Sequence, residues 1–508
     1  MVNRVYSASL VGLNVSLVEV EVGIETKVPS FDIVGLPDAT VKESKERVRS
    51  AIINSGFSFP MKRILINLAP AYVRKEGSIL DLSIAVGILI GSEQINDIGL
   101  IDINNTLFVG ELALDGEVKH TKGVLPVLLF AIENGFKNVF VPEANRNECS
   151  VVGDFLNIFP IRNLKEVVEF LSGNYTIVPV KGDDGFKKNG HFEVDFSDVK
   201  GQYAAKRAIE IAVSGGHNIL MLGGPGGGKT MLARRIPTIM PEMSMKEVIE
   251  TTKVYSIAGL LGEEGIVNER PFRSPHHTAS DVSIIGGGRI PKPGEVSLAH
   301  NGVLFFDELQ EFKSNVLQVM RQPLEEGFIT ISRAEGSVVF PANFVFVGAM
   351  NIAKDNTDSV YSSSDILRIL NKISTPFIDR IDMHIEVPRV KFNEISDKSN
   401  SNYNSEYYRE RVLKAIEIQK KRFSTLNLNI TTNSKIPPTY IDEVCKVSDS
   451  SKKLLELVMS KFKISMRSYH KILKIARTIA DIDGSEDIKD NHVAEAIQYR
   501  VLDKLVYA

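Results

Sequence analysis

A glycine-rich segment with the spacing of a phosphate-binding loop is the strongest chemical signal in this sequence. Residues 223–230 read Gly-Gly-Pro-Gly-Gly-Gly-Lys-Thr, after the apolar run Ile219–Leu222 and before helix-forming residues. Glycines let backbone N–H groups point at phosphate oxygens, and the positive end of the following helix dipole favours the same anion. The predicted nucleotide-binding residues are Gly223, Gly224, Pro225, Gly226, Gly227, Gly228, Lys229, Thr230 and Met231.

Two acidic residues after a second apolar run predict how the bound nucleotide is hydrolysed. Val303–Phe306 leads directly into Asp307 and Glu308. Lys229 would contact the β- and γ-phosphates, Thr230 would bind Mg²⁺ through its hydroxyl, and Asp307 would hold the water shell of the metal. Glu308 would orient the attacking water. The sequence therefore predicts an ATPase that uses ATP and Mg²⁺.

Two further polar residues are predicted to act on the γ-phosphate. Asn351 follows the apolar run Phe344–Met350, which would place its amide beside the phosphates and the attacking water. Arg380 lies between a predicted helix and a predicted strand, where its guanidinium could project into a neighbouring subunit's site and stabilise transition-state charge. The alternative for Arg380 is an ion pair within the chain, with Asp379 or Asp382.

A predicted helix near the C-terminus, from Met466 to Ile482, carries basic side chains along one face, at helical spacing. These residues are Arg467, His470, Lys471, Lys474 and Arg477. The opposite face is apolar and predicts packing within a helical unit. The basic face is predicted to be either solvated surface or a DNA contact. Arg467 begins the helix and could reach the nucleotide from there, so it is the fourth predicted catalytic residue, with Glu308, Asn351 and Arg380.

Adjacent histidines and a glycine-rich run lie between the two nucleotide motifs. His276 and His277 have no third ligand at helical spacing, so we expect a structural or substrate-facing loop here and not a metal site. The run Ser283–Gly288, followed by Arg289, is predicted either to line a central pore or to form a flexible surface turn.

Length and composition indicate several soluble domains. The chain has 508 residues, which suggests about three domains of ordinary size. No signal-peptide pattern and no apolar stretch of about 18 residues occurs, so we expect a cytoplasmic protein without a membrane segment. The two cysteines fit no metal-ligand spacing. Because 60 basic and 63 acidic residues give a net charge of −3, any nucleic-acid binding must use local patches.

Three folded units joined by two linkers are predicted along the chain. Residues 1–178 mix strand-like runs with amphipathic helices, which predicts an α+β domain, and residues 179–192 are a polar, glycine-containing linker. Residues 193–390 alternate short apolar strands with helices, which predicts a parallel sheet covered on both faces. Residues 391–407, rich in Asn and Ser, predict a second linker before the helical residues 408–508.

Four longer motifs make the chain resemble the ComM/YifB family of magnesium-chelatase-like AAA+ proteins. They are Phe272–Thr278, Pro293–His300, Arg321–Gly327 and Arg477–Asp481. The resemblance covers nearly the whole chain, and these motifs are far more specific than a phosphate-binding loop alone. It implies an N-terminal domain with the fold of the Lon protease domain, an AAA+ core with an insertion in its second helix, and a helical C-terminal lid. It also implies a hexameric ring.

The same resemblance implies an activity and partners. Members of the family are associated with bacterial natural transformation, where they act as ATP-driven helicases that move DNA branch points during recombination. The implied partners are therefore single-stranded or branched DNA, other copies of the chain and recombination proteins. Carried over to this sequence, Asn351 is sensor 1, Arg380 is the arginine finger and Arg467 is sensor 2.

This chain departs from the resemblance in two places. Relatives commonly have a Cys-rich stretch after sensor 1, but here residues 351–356 read Asn-Ile-Ala-Lys-Asp-Asn, so any metal site in that loop is lost. Lon-type proteases use a serine nucleophile and a lysine base. Here the nucleophile position falls on Ile79, beside Ser78, and the base position falls on Val127. Without both groups there is no acylation chemistry, so we expect the domain to organise the ring or the DNA.

Three classes of function fit the core motifs: a DNA-translocating motor, a chelatase-type or other remodelling motor, and an ATP-dependent protease. A chelatase motor subunit is expected to lack this N-terminal domain, and the missing catalytic pair argues against proteolysis. Since fold analogy does not fix function, the motifs rank these classes, with the DNA motor first.

Overall fold

The computed structural model describes the chain at residues 2–75, 77–95, 101–182, 192–288, 291–333, 336–351, 373–390, 403–462, 465–500 and 502. Some predictions fall outside the described residues. They concern Arg289, residues 352–356 after sensor 1, residues 183–191 of the first linker and residues 391–402 of the second.

The N-terminal unit is built round a seven-stranded sheet of mixed direction, ordered β3-β4-β2-β1-β5-β8-β9. Its long strands alternate side chains between the two faces, and the apolar side chains of one face pack on the helices. The β1–β2 and β2–β4 pairs are antiparallel, and the other pairs are parallel. The elements are β1 (Val2–Val11), β2 (Asn14–Glu25), β3 (Ser30–Val34), α1 (Ala39–Asn54), β4 (Arg63–Ala69), α2 (Asp81–Gly91), β5 (Thr106–Phe108), β6 (Glu111–Leu112), β7 (Val118–Lys119), α3 (Val124–Glu133), β8 (Asn138–Pro142), α4 (Arg146–Cys149), β9 (Asn157–Ile161) and α5 (Leu164–Leu171).

The central unit contains a five-stranded, fully parallel sheet with the order β11-β14-β17-β10-β18, as the sequence predicted. Strand β10 is buried along its whole length, because helices cover both faces of the sheet. The elements are α6 (Tyr203–Gly215), β10 (Ile219–Gly223), α7 (Lys229–Ile239), α8 (Met245–Ala258), β11 (Phe272–Arg273), α9 (Asp281–Ile285), β12 (Gly286–Gly287), β13 (Lys292–Pro293), α10 (Glu295–Leu298), β14 (Val303–Phe306), α11 (Ser314–Val319), α12 (Arg321–Glu326), β15 (Phe328–Arg333), β16 (Gly336–Pro341), β17 (Val345–Asn351), α13 (Thr375–Ile378) and β18 (Met383–Glu386).

Strand order decides where the polar strand ends meet. The first strand, β10, lies between β17 and β18, and β14 lies on the far side of β17. Because all these strands are parallel, their carboxyl ends lie at one edge of the sheet, where open α/β sheets bind ligands. The residues that follow β10, β14 and β17 are therefore brought to the same edge.

The C-terminal region is helical, as predicted. It comprises α14 (Ser405–Thr425), α15 (Ile441–Val444), α16 (Asp449–Phe462), α17 (Met466–Ile482) and α18 (Asp490–Gln498). Apolar residues of α17, such as Ile472 and Ile475, belong to the same core as Ile209 of α6 and Ile219 of β10. The lid therefore packs directly on the central unit. Within the described part of the chain, no helix has the length and apolar character needed to cross a membrane.

The prediction of an accessible basic face on α17 is wrong for Arg477, which is buried, and Lys471 and Lys474 are only partly exposed. Lys471 lies 3.1 Å from the Asp382 carboxylate, and Lys474 donates to the Ser434 carbonyl at 3.0 Å. Burial lowers the pKa of Lys471 to about 8. Arg477 is only 3% exposed. Helical spacing placed these side chains on one face correctly, but the packing of neighbouring segments covers that face.

Candidate nucleotide site

The glycine-rich loop joins β10 to α7 and depends on glycine in two ways. Gly226 and Gly228 have φ angles of +81° and +84°, a region that side-chain-bearing residues rarely adopt, and a Cβ at either position would meet nothing within 4 Å. These two positions therefore border open space. Gly223 is required for a steric reason, since a Cβ there would lie 2.2 Å from the Val387 carbonyl oxygen. The loop is thus a backbone cradle at the helix N-terminus.

Lys229 and Asn351 meet inside this cradle. The Lys229 ammonium donates to the carbonyls of Gly223 and Gly224 at 3.0 and 2.9 Å and to Asn351 Oδ1 at 2.9 Å. Burial lowers the pKa of Lys229, an effect that the nearby Asp307 carboxylate opposes. Asn351 is the last residue of β17. The amide predicted to sense the γ-phosphate is therefore in direct contact with the lysine predicted to bind it.

Thr230 and Asp307 form the second contact across the site. The Thr230 hydroxyl donates to Asp307 Oδ2 at 2.8 Å. A hydroxyl and a carboxylate at this separation are hard oxygen ligands of the kind Mg²⁺ takes beside nucleotide phosphates, so these residues fit that ion. They come from α7 and from the end of β14, and only strand order brings them together.

Glu308 directly follows Asp307, and its carboxylate is turned toward His277. Its backbone is left-handed, with φ +50°, and its N–H donates to Asp307 Oδ1 at 3.0 Å. The Glu308 side chain is 47% exposed, and its Oε2 lies 3.5 Å from His277 Nδ1. This contact between His277 and Glu308 was not predicted from the sequence.

Two residues outside the motif contact the loop, while Met231, in the first turn of α7, has an exposed side chain. Gln202, just before α6, donates from its amide to the carbonyls of Gly227 and Pro388 at 3.0 and 2.6 Å. Arg389 Nε donates to the Pro225 carbonyl at 3.3 Å. Gln202 and Arg389 could not be predicted from the sequence, because neither belongs to a motif and both reach the loop only through the tertiary fold.

The two predicted arginines lie together on a different residue, Glu325 in α12. Arg380 Nη2 donates to Glu325 Oε2 at 3.0 Å, and Arg467 binds the other carboxylate oxygen. Burial raises the pKa of Glu325, but the hydrogen bonds from both guanidiniums outweigh this effect and hold it below the usual value. The alternative of an ion pair within the chain is therefore found for Arg380, but its partner is Glu325 and not Asp379 or Asp382, and Asp382 pairs with Lys471.

The motif Arg477–Asp481 has a structural use in the lid. Asp481 is buried and accepts hydrogen bonds from Arg477 at 3.1 Å, from Arg422 at 3.0 Å and from Asn433 at 2.8 Å. This network ties α17 to α14 and to the segment after it. The single negative charge of Asp481 thus faces two guanidiniums in the lid interior, where a buried charge needs an opposite partner.

In the N-terminal domain, Ser78 and the nearby Lys75 do not pair with each other. The Ser78 hydroxyl donates to the Glu111 carboxylate, and the buried Lys75 ammonium donates to the Pro70 carbonyl. Ile79 and Val127, at the expected nucleophile and base positions, are buried core residues. The hydroxyl is thus paired with an acid and not with a lysine.

Comparisons with known families agree along the chain. A model described as magnesium chelatase, subunit ChlI, matches residues 195–395, and a model of subunit ChlI of Mg-chelatase matches residues 20–145. A model of the ChlI C-terminal region matches residues 402–500. Each of the three described units therefore has a counterpart among chelatase subunit models, so the expectation that a chelatase motor subunit lacks the N-terminal domain receives no support from them.

Individual relatives match over almost their full length. The chain is 43% identical to Competence protein ComM of Haemophilus influenzae, with 99% of this chain and 98% of that protein covered. It is 39% identical to the uncharacterized protein YifB of Escherichia coli, with coverage of 99% and 97%. It is 22% identical to magnesium-chelatase subunit ChlI of Trieres chinensis, over 56% of this chain. The parallel sheet, the loop and these full-length matches show that the chain belongs to the ComM/YifB family of magnesium-chelatase-like AAA+ ATPases.

Proposed function

We propose that this protein is an ATP-driven motor that acts on DNA, a hexameric helicase that promotes branch migration during homologous recombination or natural transformation. Full-length similarity to a competence protein supports the DNA substrate. Competence concerns DNA uptake, and a motor working on incoming DNA would engage single-stranded or branched forms. We further propose that the N-terminal domain has a Lon-like fold and organises the ring or the DNA.

The strongest support for ATPase activity is the position of four predicted residues at one edge of the sheet. Lys229 is hydrogen-bonded to Asn351, and Thr230 is hydrogen-bonded to Asp307. When bound, Mg²⁺ supplies positive charge beside the phosphates. Lys229 exchanges its loop carbonyl partners for phosphate oxygens. Asn351 holds that ammonium in place, and Glu308 orients the water that attacks the γ-phosphate.

The arginines are proposed to complete the site across a subunit boundary. Since one carboxylate of Glu325 binds both Arg380 and Arg467, their guanidiniums lie within a few ångströms of each other. If Arg380 stabilises the transition state in the neighbouring subunit, Arg467 reaches the same nucleotide, and Glu325 releases both. Arg467 then acts as a sensor for its neighbour's nucleotide.

The chelatase-type or protein-remodelling motor remains the alternative, and the match to ChlI subunit models favours it over proteolysis. The pairing of Ser78 with Glu111 gives proteolysis no support. The first test is the steady-state ATPase rate of wild type, Lys229→Ala and Glu308→Gln, without DNA and with single-stranded, duplex, forked and four-way-junction DNA. Two salt concentrations are used, because phosphate contacts are salt-sensitive.

We expect branched or single-stranded DNA to raise the rate of wild type. Lys229→Ala loses nucleotide binding, whereas Glu308→Gln binds ATP without turning it over. Strand displacement on a junction substrate should follow the same pattern. If none of these DNA substrates changes the ATPase rate, the DNA motor is contradicted and the remodelling motor is favoured.

A mixing experiment tests the arginine finger. Arg380→Ala alone should be inactive while it still binds ATP. Mixed with Lys229→Ala, it should recover hydrolysis, because the intact pocket of one subunit then meets the intact arginine of the other. Full activity of Arg380→Ala, or mixtures that stay inactive, would remove the assignment.

A further inference from the structure

The histidine motif is attached to the strand that neighbours β14. Strand β11 pairs in parallel with β14, with Phe272 opposite Val303 and Arg273 opposite Leu304. Residues that follow each strand therefore emerge at the same sheet edge. His277 follows β11 and Glu308 follows β14, so their meeting is fixed by strand register and not by a long flexible loop.

Both ends of this short segment are held. At its start, Arg273 makes a two-pronged ion pair with Glu295, with N–O distances of 2.7 and 2.8 Å. Beyond it, the His276 ring lies against the His277 ring with centroids 4.1 Å apart, and His276 Nδ1 is 2.8 Å from the Thr278 hydroxyl. The two histidines therefore have different partners. His276 binds within its own segment, and His277 faces Glu308.

Glu308 needs an outside contact to fix its carboxylate. Its backbone is set by the left-handed conformation and the N–H bond to Asp307, but its side chain is half exposed and has several rotatable bonds. Ordering such a side chain has a considerable entropy cost, and a base works best when a third group orients it. His277 Nδ1, at 3.5 Å from Oε2, is placed to orient it and leaves Oε1 for the water.

We propose that His277 is a positioning residue for ATP hydrolysis, which holds the Glu308 carboxylate in the orientation that activates water. This inference rests on the proposed ATPase role of Glu308. It also explains how the motif Phe272–Thr278 acts on ATP hydrolysis, since movement of this segment would move His277 and with it the Glu308 carboxylate. The segment leads on through α9 to the β12–β13 hairpin.

The experiment compares ATP kinetics of full-length wild type, His277→Ala, His277→Asn and the matched control His276→Ala. His277→Ala should lower kcat by about tenfold, the share of rotamers that the contact selects, with KM for ATP unchanged within about twofold. His277→Asn keeps an N–H donor near the position of Nδ1 and should recover most of the rate. His276→Ala should stay within about twofold of wild type, because its ring binds Thr278.

The outcomes separate this inference from the proposed function. A wild type without ATPase, or an active Glu308→Gln, overturns the ATPase assignment itself. Normal or raised kcat in His277→Ala, beside an inactive Glu308→Gln, overturns the positioning role alone. So does an equal loss in His276→Ala, or a loss in His277→Ala that comes with higher KM and a lower melting temperature, since these indicate a merely structural segment.

Discussion

Removing the buried carboxylate of Asp481 should destabilise the lid strongly. Asp481 and Arg477 have side chains that are 0% and 4% exposed, and Arg422 is 20% exposed. In Asp481→Ala, Arg477 keeps only the neutral carbonyls of Ser485 and Glu486, each at 2.7 Å. The Arg477 charge then stays buried without a counter-charge.

The size of the effect follows from this burial. Breaking one side of a buried ion pair costs about 3–5 kcal/mol of unfolding free energy. At about 2 °C per kcal/mol for the central unit and the lid unfolding together, the melting transition should fall by about 6–10 °C. The control is Asp483→Ala, two residues away. Asp483 is 36% exposed and pairs with Arg207 at 3.2 Å, a partly exposed pair worth about 1 kcal/mol or less.

Thermal unfolding followed by far-ultraviolet circular dichroism measures both variants, since the lid is mostly helical and helices contribute strongly to that signal, and the chain has no tryptophan to follow instead. We expect a large fall for Asp481→Ala and a shift of about 2 °C or less for Asp483→Ala. Equal shifts in the two variants would refute the reasoning, because they would mean that the network carries no more stability than a surface pair.

Three further predictions concern the core. Asn351→Ala should lower kcat by about 100-fold with little change in ATP affinity, because Lys229 still binds the phosphates but loses the amide that holds its ammonium in place; a large loss of affinity would contradict this. Gly223→Ala should destabilise by about 1–3 kcal/mol and weaken ATP binding, since its Cβ would meet the Val387 carbonyl; the control Gly262→Ala, whose Cβ meets nothing within 4 Å, should do neither. Burial lowers the pKa of His217 from 6.5 to about 4. Between pH 6.5 and 4 the unfolded chain therefore binds one more proton than the folded chain. The free energy of unfolding falls as the pH is lowered through this range, by up to about 1.4 kcal/mol per pH unit. His217→Gln should show a shallower fall in urea midpoints, and parallel curves would contradict it.

Local patterns were enough for the elements and for the nucleotide motifs. Helix α17 begins and ends at the predicted residues Met466 and Ile482, because its apolar spacing and its flanking residues are unambiguous. Asp307 and Asn351 stand at strand ends as predicted. These features depend on neighbours in sequence, and backbone geometry alone decides them.

Contacts between segments that lie far apart in the chain could not be predicted from the sequence. Helical spacing predicts which face Lys471 and Arg477 share, but not which segments cover that face, so the prediction of a free basic surface failed. In the same way, two arginines that share Glu325 could not be recognised from their positions in the chain.

The sequence by itself determined the nucleotide-binding motifs, because short-range spacing defines them, and the family, because four longer motifs resemble it. Only the tertiary structure decided which charges are buried, which carboxylate holds Arg380, and that His277 faces Glu308. The physical reason is strand order. A parallel sheet joins residues that lie far apart in the chain, and burial then fixes their partners through the high cost of leaving a charge or a hydrogen bond unsatisfied.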